Sequence, residues 1–362
     1  MKTTNNSSTK LFIGMDVSEK SIEICALSSK SDMSKNIKIA NTPKSVNKFI
    51  DGYTGDKSFL VFAIETGTHS PWLEELISMK GCKVYVCNAR KLRMIWQSDQ
   101  KSDTRDATML ANMLKFNPKL LYPIKHQKKE TRIDLSVIKC RDALVRSRTS
   151  MMNCIRGQLR SFGVDTSSLK PYNFSSLAAK IIPNELRCTM DGILAQIKLL
   201  ELEIRNYDKK IEELCKKYPV TEKFRNIKGV GPLVSLVFAL IISNPERFKR
   251  GRHLSSYLGL VPRRYQSGAT DRQLSITKAG NCLLRRLLVQ SANYIMGPFG
   301  QECDLREFGM KIRARGNNIA KKKAKVAVAR KLAILMLKLW LSEEEYIPQY
   351  KKFKKEKLKA TG

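Results

Sequence analysis

Histidine is scarce in this chain: three stand among 362 residues, at positions 69, 126 and 253. None has two cysteines near it, so a zinc site of the Cys/His kind is not indicated. The nine cysteines (25, 82, 87, 140, 154, 188, 215, 282 and 303) are odd in number and contain no CxxC pair. That suggests neither a disulfide framework nor a zinc ribbon, and fits a reducing, cytoplasmic setting. Long apolar runs are missing too. The longest, LVSLVFALII at 233–242, is too short to cross a bilayer, and MKTTNNSSTK lacks the apolar core of a secretion signal. No membrane partner is expected. Low-complexity tracts and internal repeats are also absent.

Acidic residues are few: 33 Asp plus Glu against 67 Lys plus Arg, a formal net charge of +34. No fold needs that surplus, which lowers the free energy only beside a polyanion, and nucleic acid is the usual one. With 42% hydrophobic residues the chain can still build cores. The expected location is therefore the cytoplasm, at the nucleoid.

The pattern along the chain predicts α/β structure followed by α structure. LFIGMDV (11–17) and IEICAL (22–27) read as a strand pair joined by the turn SEKS, and NIKIAN (36–41) as a third strand. TPKSVNKFIDGY has helical periodicity, with Thr42 as N-cap and Pro43 at the first helical position. FLVFAIE (59–65) is continuously apolar, as in a strand covered on both faces, and KVYVCN (83–88) is another. The order β-β-β-α-β-α-β describes a mixed sheet flanked by helices.

From 131 to 218 the pattern is helical. Ile193, Ile197, Leu200, Ile204, Tyr207, Ile211 and Leu214 recur at a period of 3.5, which suits either a coiled-coil seam or an intramolecular helical hairpin. Residues 219–345 form a third, mostly helical unit containing a loop-rich stretch, RRYQSGATDRQLS. Residues 346–362 are a basic tail.

Asp16 ends the first strand and Glu65 a later one, and an acid closing an apolar strand needs a partner. Asp103 and Asp106, three apart at the start of the helix DTRDATMLANML, share one face. A helix N-terminus favours negative charge, which partly explains Asp103 without any function. Four converging carboxylates repel unless neutralised. Two Mg2+ ions, about 3.5–4 Å apart, would neutralise them and activate the attacking and leaving oxygens of a phosphodiester.

FIGMDVSEKSIEI, FAIETGTHSPWLEEL and KSDTRDATMLA resemble the RuvC-like, RNase H-fold domain of insertion-sequence family one-ten, the bridge-RNA-guided recombinases that also include the pilin-gene invertase Piv. IKGVGP and YLGLVPRRYQSGATDRQLSITKAGNCLLRRLLVQSA resemble the C-terminal transposase domain of the same family. The resemblance runs from about 10 to 340. It implies a RuvC-like nuclease domain over 1–130, a helical or coiled-coil segment over 131–218 and a transposase domain over 219–345.

It further implies the acidic tetrad Asp16, Glu65, Asp103 and Asp106, and a nucleophilic serine at Ser267. The implied activity is a DNA transposase or site-specific recombinase that joins target and donor DNA through a serine-linked intermediate. The implied partners are those two DNAs, a noncoding bridge RNA, and further copies of the chain as a homodimer or homotetramer.

A serine hydroxyl is a poor nucleophile unless a base or metal helps remove its proton, and no histidine lies near Ser267 in sequence. Metal assistance fits better than a Ser-His-Asp triad. A serine before glycine is also what an ordinary turn uses. Arg263, Arg264 and Arg272 could stabilise phosphate charge, with Lys278, Arg285 and Arg286 following as further nucleic-acid contacts. Arg146 and Arg156 lie on a helix suited to tracking a backbone or to presenting a solvated basic face.

Tyr265 invites a tyrosine-recombinase reading, for which the chain has too few histidines. GVGP (229–232) resembles a helix-hairpin-helix turn that lets glycine N–H groups approach a phosphate, or a plain capping turn. The alternative enzyme is a Holliday-junction resolvase or metal-dependent nuclease that uses water. A non-catalytic nucleic-acid-binding protein is the third reading.

Overall fold

Apolar runs closed by short polar turns build a five-stranded sheet in the first quarter of the chain. The structure is a computed structural model and describes residues 9–31, 33–92, 102–350 and 353. The polar leader before Thr9, Lys101 of the KSDTRDATMLA segment, and the basic tail beyond Tyr350 (apart from Phe353) lie outside the described residues. The chain divides into two compact units, residues 1–126 and 127–362.

In the first unit β1 (Leu11–Val17), β2 (Ser21–Ser28) and β3 (Ser34–Ala40) form an antiparallel meander. After α1 (Pro43–Asp51), β4 (Leu60–Glu65) pairs parallel to β1. After α2 (Ser70–Met79), β5 (Lys83–Cys87) pairs parallel to β4, giving the order β3-β2-β1-β4-β5. Two helices follow, α3 (Ala89–Leu92) and α4 (Asp103–Phe116). The helix starts are set by local chemistry. Thr42 accepts from the Ser45 N–H with Pro43 next to it, and Ser102 accepts from the Arg105 N–H.

Side chains alternate across a strand, so each face takes its own helical layer. Ile13, Met15, Ile24, Phe62 and Ile64 form one core with Val46 and Ile50 of α1 and Leu73 and Ile77 of α2. On the opposite face Phe12, Cys25, Leu27, Val61 and Ala63 pack against Ala107, Leu110, Ala111 and Leu114 of α4. Burial on both sides is why β4 reads as an unbroken apolar run.

The second unit opens with two long helices, α5 (Lys129–Ser161) and α7 (Asn184–Lys217), joined through α6 (Phe174–Ile181). They pack against each other, and Ile197, Ile204 and Ile211 of the 3.5-period seam are buried within this chain. Arg141–Asp208 (2.6 Å) and Lys217–Asp134 (2.7 Å) bridge the pair and show it to be antiparallel.

Next come α8 (Val220–Arg225), the apolar α9 (Pro232–Ile242) and α10 (Gly251–Tyr257). They are followed by β6 (Pro262–Ser267), β7 (Thr270–Ile276), α11 (Cys282–Ile295), α12 (Asp304–Arg313) and α13 (Asn318–Leu341). The 233–242 run is the core of this unit: Leu236 to Leu240 are all buried, and Phe238 meets Phe224 edge-on at 5.3 Å. Leu135 and Ile138 of α5 and Ile211 and Cys215 of α7 share that core, so 131–218 and 219–345 fall in one compact unit. Among the described residues no helix is long and apolar enough to cross a membrane.

One expectation is corrected. RRYQSGATDRQLS is not a loop but the antiparallel ribbon β6–β7, closed by the two-residue turn Gly268–Ala269 with Gly268 at φ +52°. Nearly every residue of both strands is exposed. With no buried face there is no apolar alternation for the eye to find.

Candidate functional site

Parallel pairing places two of the four acids. The last register couple of β1 and β4 is Met15–Ile64, so Asp16 and Glu65 stand next, at the C-terminal ends of adjacent strands. By alternation Asp16 follows Phe12 and Gly14, and Glu65 follows Val61 and Ala63, onto the face covered by α4.

The helix supplies the other two. Its buried stripe is Ala107, Leu110, Ala111 and Leu114, and Asp103 and Asp106 extend that stripe by one turn at the N-terminal end. Lys115, at the far end of α4, donates to the Ser31 carbonyl (3.2 Å) beyond the Leu11–Ser28 couple. The N-terminus of α4 therefore points toward the Asp16 end of β1. From Ala107 back to Asp103 is ~6 Å of helix, and from Gly14 on to Asp16 is ~7 Å of strand, so both acids lie toward the same end of the sheet.

Gly14 makes this seating possible. A Cβ there would lie 2.0 Å from the Ala107 carbonyl oxygen and 2.6 Å from the Ala111 nitrogen. Gly14→Ala must push α4 off the sheet, and we expect it to cost about 3 kcal/mol of unfolding free energy in urea titration. A cost below about 0.5 kcal/mol would mean that α4 is not packed this closely.

Glu23 is an acid that sequence reasoning missed. It pairs across from Asp16 in the β1–β2 ladder and is bridged by Lys38 of β3 at 2.7 Å. The Glu23 hydrogen bond and charge, and then the charge of Asp103, hold the Lys38 ammonium above the usual lysine range. Asp103 thus acts on the same corner of the sheet. The hairpin symmetry of LFIGMDVSEKSIEI was the available signal, since a strand pair folded at SEKS puts 16 opposite 23.

The loop after Glu65 is held from several sides. Thr66 N–H donates to the Cys87 carbonyl (3.0 Å), and the Thr66 hydroxyl accepts from Ala89 N–H (3.2 Å). The buried Ser70 hydroxyl donates to the Gly67 carbonyl (2.9 Å) and lies 2.8 Å from His126 Nε2. Burial pushes the Cys87 thiol up to about 12, and the Glu65 carboxylate beside it pushes the same way.

Asp16, Glu65 and Asp106 are half-buried and Asp103 is exposed. Hard carboxylate oxygens on strand ends and a helix start are the donor chemistry that Mg2+ prefers. Among the described residues no three acidic, histidine or cysteine side chains are close enough to form a ready-made metal cage. The four carboxylates offer the donor chemistry the ion takes, from two adjacent strand ends and one helix start, without forming such a cage.

Ser267 belongs to the other unit, at the exposed tip of β6–β7, where it pairs with Thr270. The couples Tyr265–Arg272 and Ser267–Thr270 put Tyr265, Ser267 and Arg272 on one face of the ribbon. Arg264 is on the other, forked onto Asp271 by bonds of 2.8 and 2.7 Å. That guanidinium holds the Asp271 carboxyl below the usual range.

The remaining basic residues divide by what engages them. Arg263 donates to the Ser275 hydroxyl (3.2 Å), and Arg272 and Lys278 are exposed. Arg285 donates to the Leu258 and Ala279 carbonyls, and Arg286 is bridged to Asp142. Arg156 stacks on Phe174 (4.9 Å) and donates to the Leu169 carbonyl, whereas Arg146 stays largely exposed beside Asp142.

Two family models match the chain. Residues 13–163 match the DEDD transposase model of IS110 type, and residues 221–302 match the transposase model of the IS116/IS110/IS902 family. The transposase for insertion sequence element IS1111A of Coxiella burnetii is 30% identical over 58% of this chain and 59% of its own length. A probable family 20 transposase of Pseudomonas aeruginosa is 26% identical over 75% of this chain and 86% of its own. The pilin gene-inverting protein of Moraxella lacunata is 32% identical over a shorter stretch, 29% of this chain and 32% of its own.

Proposed function

Since the chain belongs to the IS116/IS110/IS902 family of transposases, we propose that it cuts and rejoins DNA as a transposase or site-specific recombinase. The observation that carries this reading is the parallel β1–β4 register, which stands Asp16 and Glu65 side by side under the N-terminus of α4. We read the first unit as a RuvC-like RNase H fold; its three antiparallel strands followed by two parallel ones support that reading.

Asp16, Glu65, Asp103 and Asp106 would hold divalent metal, Mg2+ by the hardness of the donors. When bound, the metal polarises the phosphodiester and offsets the charge that develops on it. Ser267 supplies the nucleophile. Its Oγ attacks a strand phosphorus, one P–O bond breaks, and the freed sugar hydroxyl leaves with a proton. A hydroxyl from the second DNA then attacks the serine ester and regenerates Ser267. One phosphoester is exchanged for another, so rejoining needs no outside energy source. Arg272 shares the face of Ser267 and would meet phosphate charge there.

We further propose that a noncoding RNA pairs with target and donor DNA, and that the chain works as a homodimer or homotetramer at the nucleoid. The net charge of +34 supports such an assembly with polyanions.

Incubation with candidate RNA and both DNAs tests the reading. Cleavage and joining are expected with Mg2+, to vanish when EDTA removes it, and to return when Mg2+ is restored. Full activity in EDTA would contradict the metal assignment, and full activity without RNA would contradict the guide.

A further inference from the structure

The GVGP turn (229–232) has no part in the chemistry above, yet its surroundings are those of an anion site. Gly229 sits at φ +96°, and a Cβ there would meet the Tyr294 ring at 2.9 Å, so the turn lies flat against α11. Directly after it α9 begins at Pro232, with Gly231 as N-cap and no side chain capping the end. The first-turn N–H groups of such a helix have no partner inside it and carry partial positive charge outward.

A cup of about 420 Å³ opens at this end, lined by Arg225, Lys228, Gly229, Gly231, Ser291 and Tyr294 among others. Ser291 is 3% exposed, and its hydroxyl makes no hydrogen bond in the structure. A buried donor left without an acceptor is costly, and an anion oxygen in the cup would satisfy it. Arg225 is braced by Glu212 (3.0 Å), while Lys228 stands exposed at the rim. Bare helix N–H groups, a buried hydroxyl and two cations around one cup point to one ligand chemistry.

We propose that the Gly229–Gly231 turn and the start of α9 cradle a phosphate of the duplex DNA backbone. The contact holds and orients DNA without reading its sequence. It rests on the reading that the chain acts on DNA and adds to it a grip separate from the cutting residues.

Gly231→Asp is the decisive variant. Gly231 is extended (φ −90°, ψ −179°), and a Cβ there meets nothing within 4 Å, so an L residue fits. Aspartate is a favoured N-cap, so α9 should be stabilised while the new carboxylate occupies the donors and repels phosphate. Binding to a labelled DNA duplex of arbitrary sequence, followed by fluorescence anisotropy across a salt series, is expected to weaken about tenfold in Gly231→Asp. In Lys228→Gln it should weaken about threefold, with a salt slope shallower by about one. The melting temperature of Gly231→Asp should equal or exceed that of the unaltered chain.

Affinity within about twofold of the unaltered chain in both variants would overturn the cradle and leave the DNA reading standing. Failure of the unaltered chain to bind the duplex would overturn that reading as well. An RNA duplex of the same length is measured in parallel, and a loss confined to it would overturn the assignment to DNA.

Discussion

Replacing Glu65 by glutamine is expected to lower DNA strand cleavage about a thousandfold, while the unfolding free energy changes by less than about 1 kcal/mol. The two effects separate because they have different origins. A thousandfold is ~4 kcal/mol of barrier, the scale of losing a charge that organises the reacting phosphate. The backbone around Glu65 is held by the β4–β5 ladder and the contacts of residues 66–70, which do not depend on its charge.

Asp16→Asn should behave alike. Asp103→Asn and Asp106→Asn carry an added cost of roughly 0.3–1 kcal/mol, because both also favour the N-terminus of α4. Kinetics on a labelled duplex beside urea titrations distinguish these. If Glu65→Gln and Asp16→Asn both cleave at the unaltered rate, the strand-end acids are not the cutting site.

Ser267→Ala is expected to remove strand joining and the protein–DNA adduct together, by at least about 10⁴-fold. Ser267 is exposed at a ribbon tip, so the stability change should stay within about 0.5 kcal/mol. The carboxylates alone would support hydrolysis by water, and that rival predicts something different. A resolvase or simple nuclease keeps cutting in Ser267→Ala and leaves no adduct in either protein. Cut, joined and protein-linked products run apart on a denaturing gel, so one experiment reads all three.

The residues proposed to cut are far more legible in sequence than the ribbon proposed to join. Asp16 and Glu65 stood out because each closes an apolar run, and the run itself marks a buried strand. Asp103 and Asp106 stood out because they lie three apart at the start of a helical stripe, on one face. The β6–β7 ribbon stayed hidden because a strand with two exposed faces carries no hydrophobic rhythm.

Glu23 was missed because its place opposite Asp16 is a matter of register, and register depends on a turn. His126 supports the Glu65 loop from 56 positions away from Ser70, a distance that no local pattern spans. The charge of Arg156, Arg264 and Arg285 was plain, but their partners Phe174, Asp271 and the Leu258 carbonyl were not. Charge is a property of composition, whereas engagement is a property of packing.

The most direct test is to trap the protein–DNA adduct under denaturing conditions, digest it with trypsin and nuclease, and sequence the modified peptide. Cleavage after Arg264 and Arg272 releases YQSGATDR, which contains both Ser267 and Tyr265 on one face of the ribbon. The expected result is a nucleotide mass on Ser267. A nucleotide on Tyr265, or strand joining with no modified residue anywhere in this peptide, would contradict serine-linked exchange.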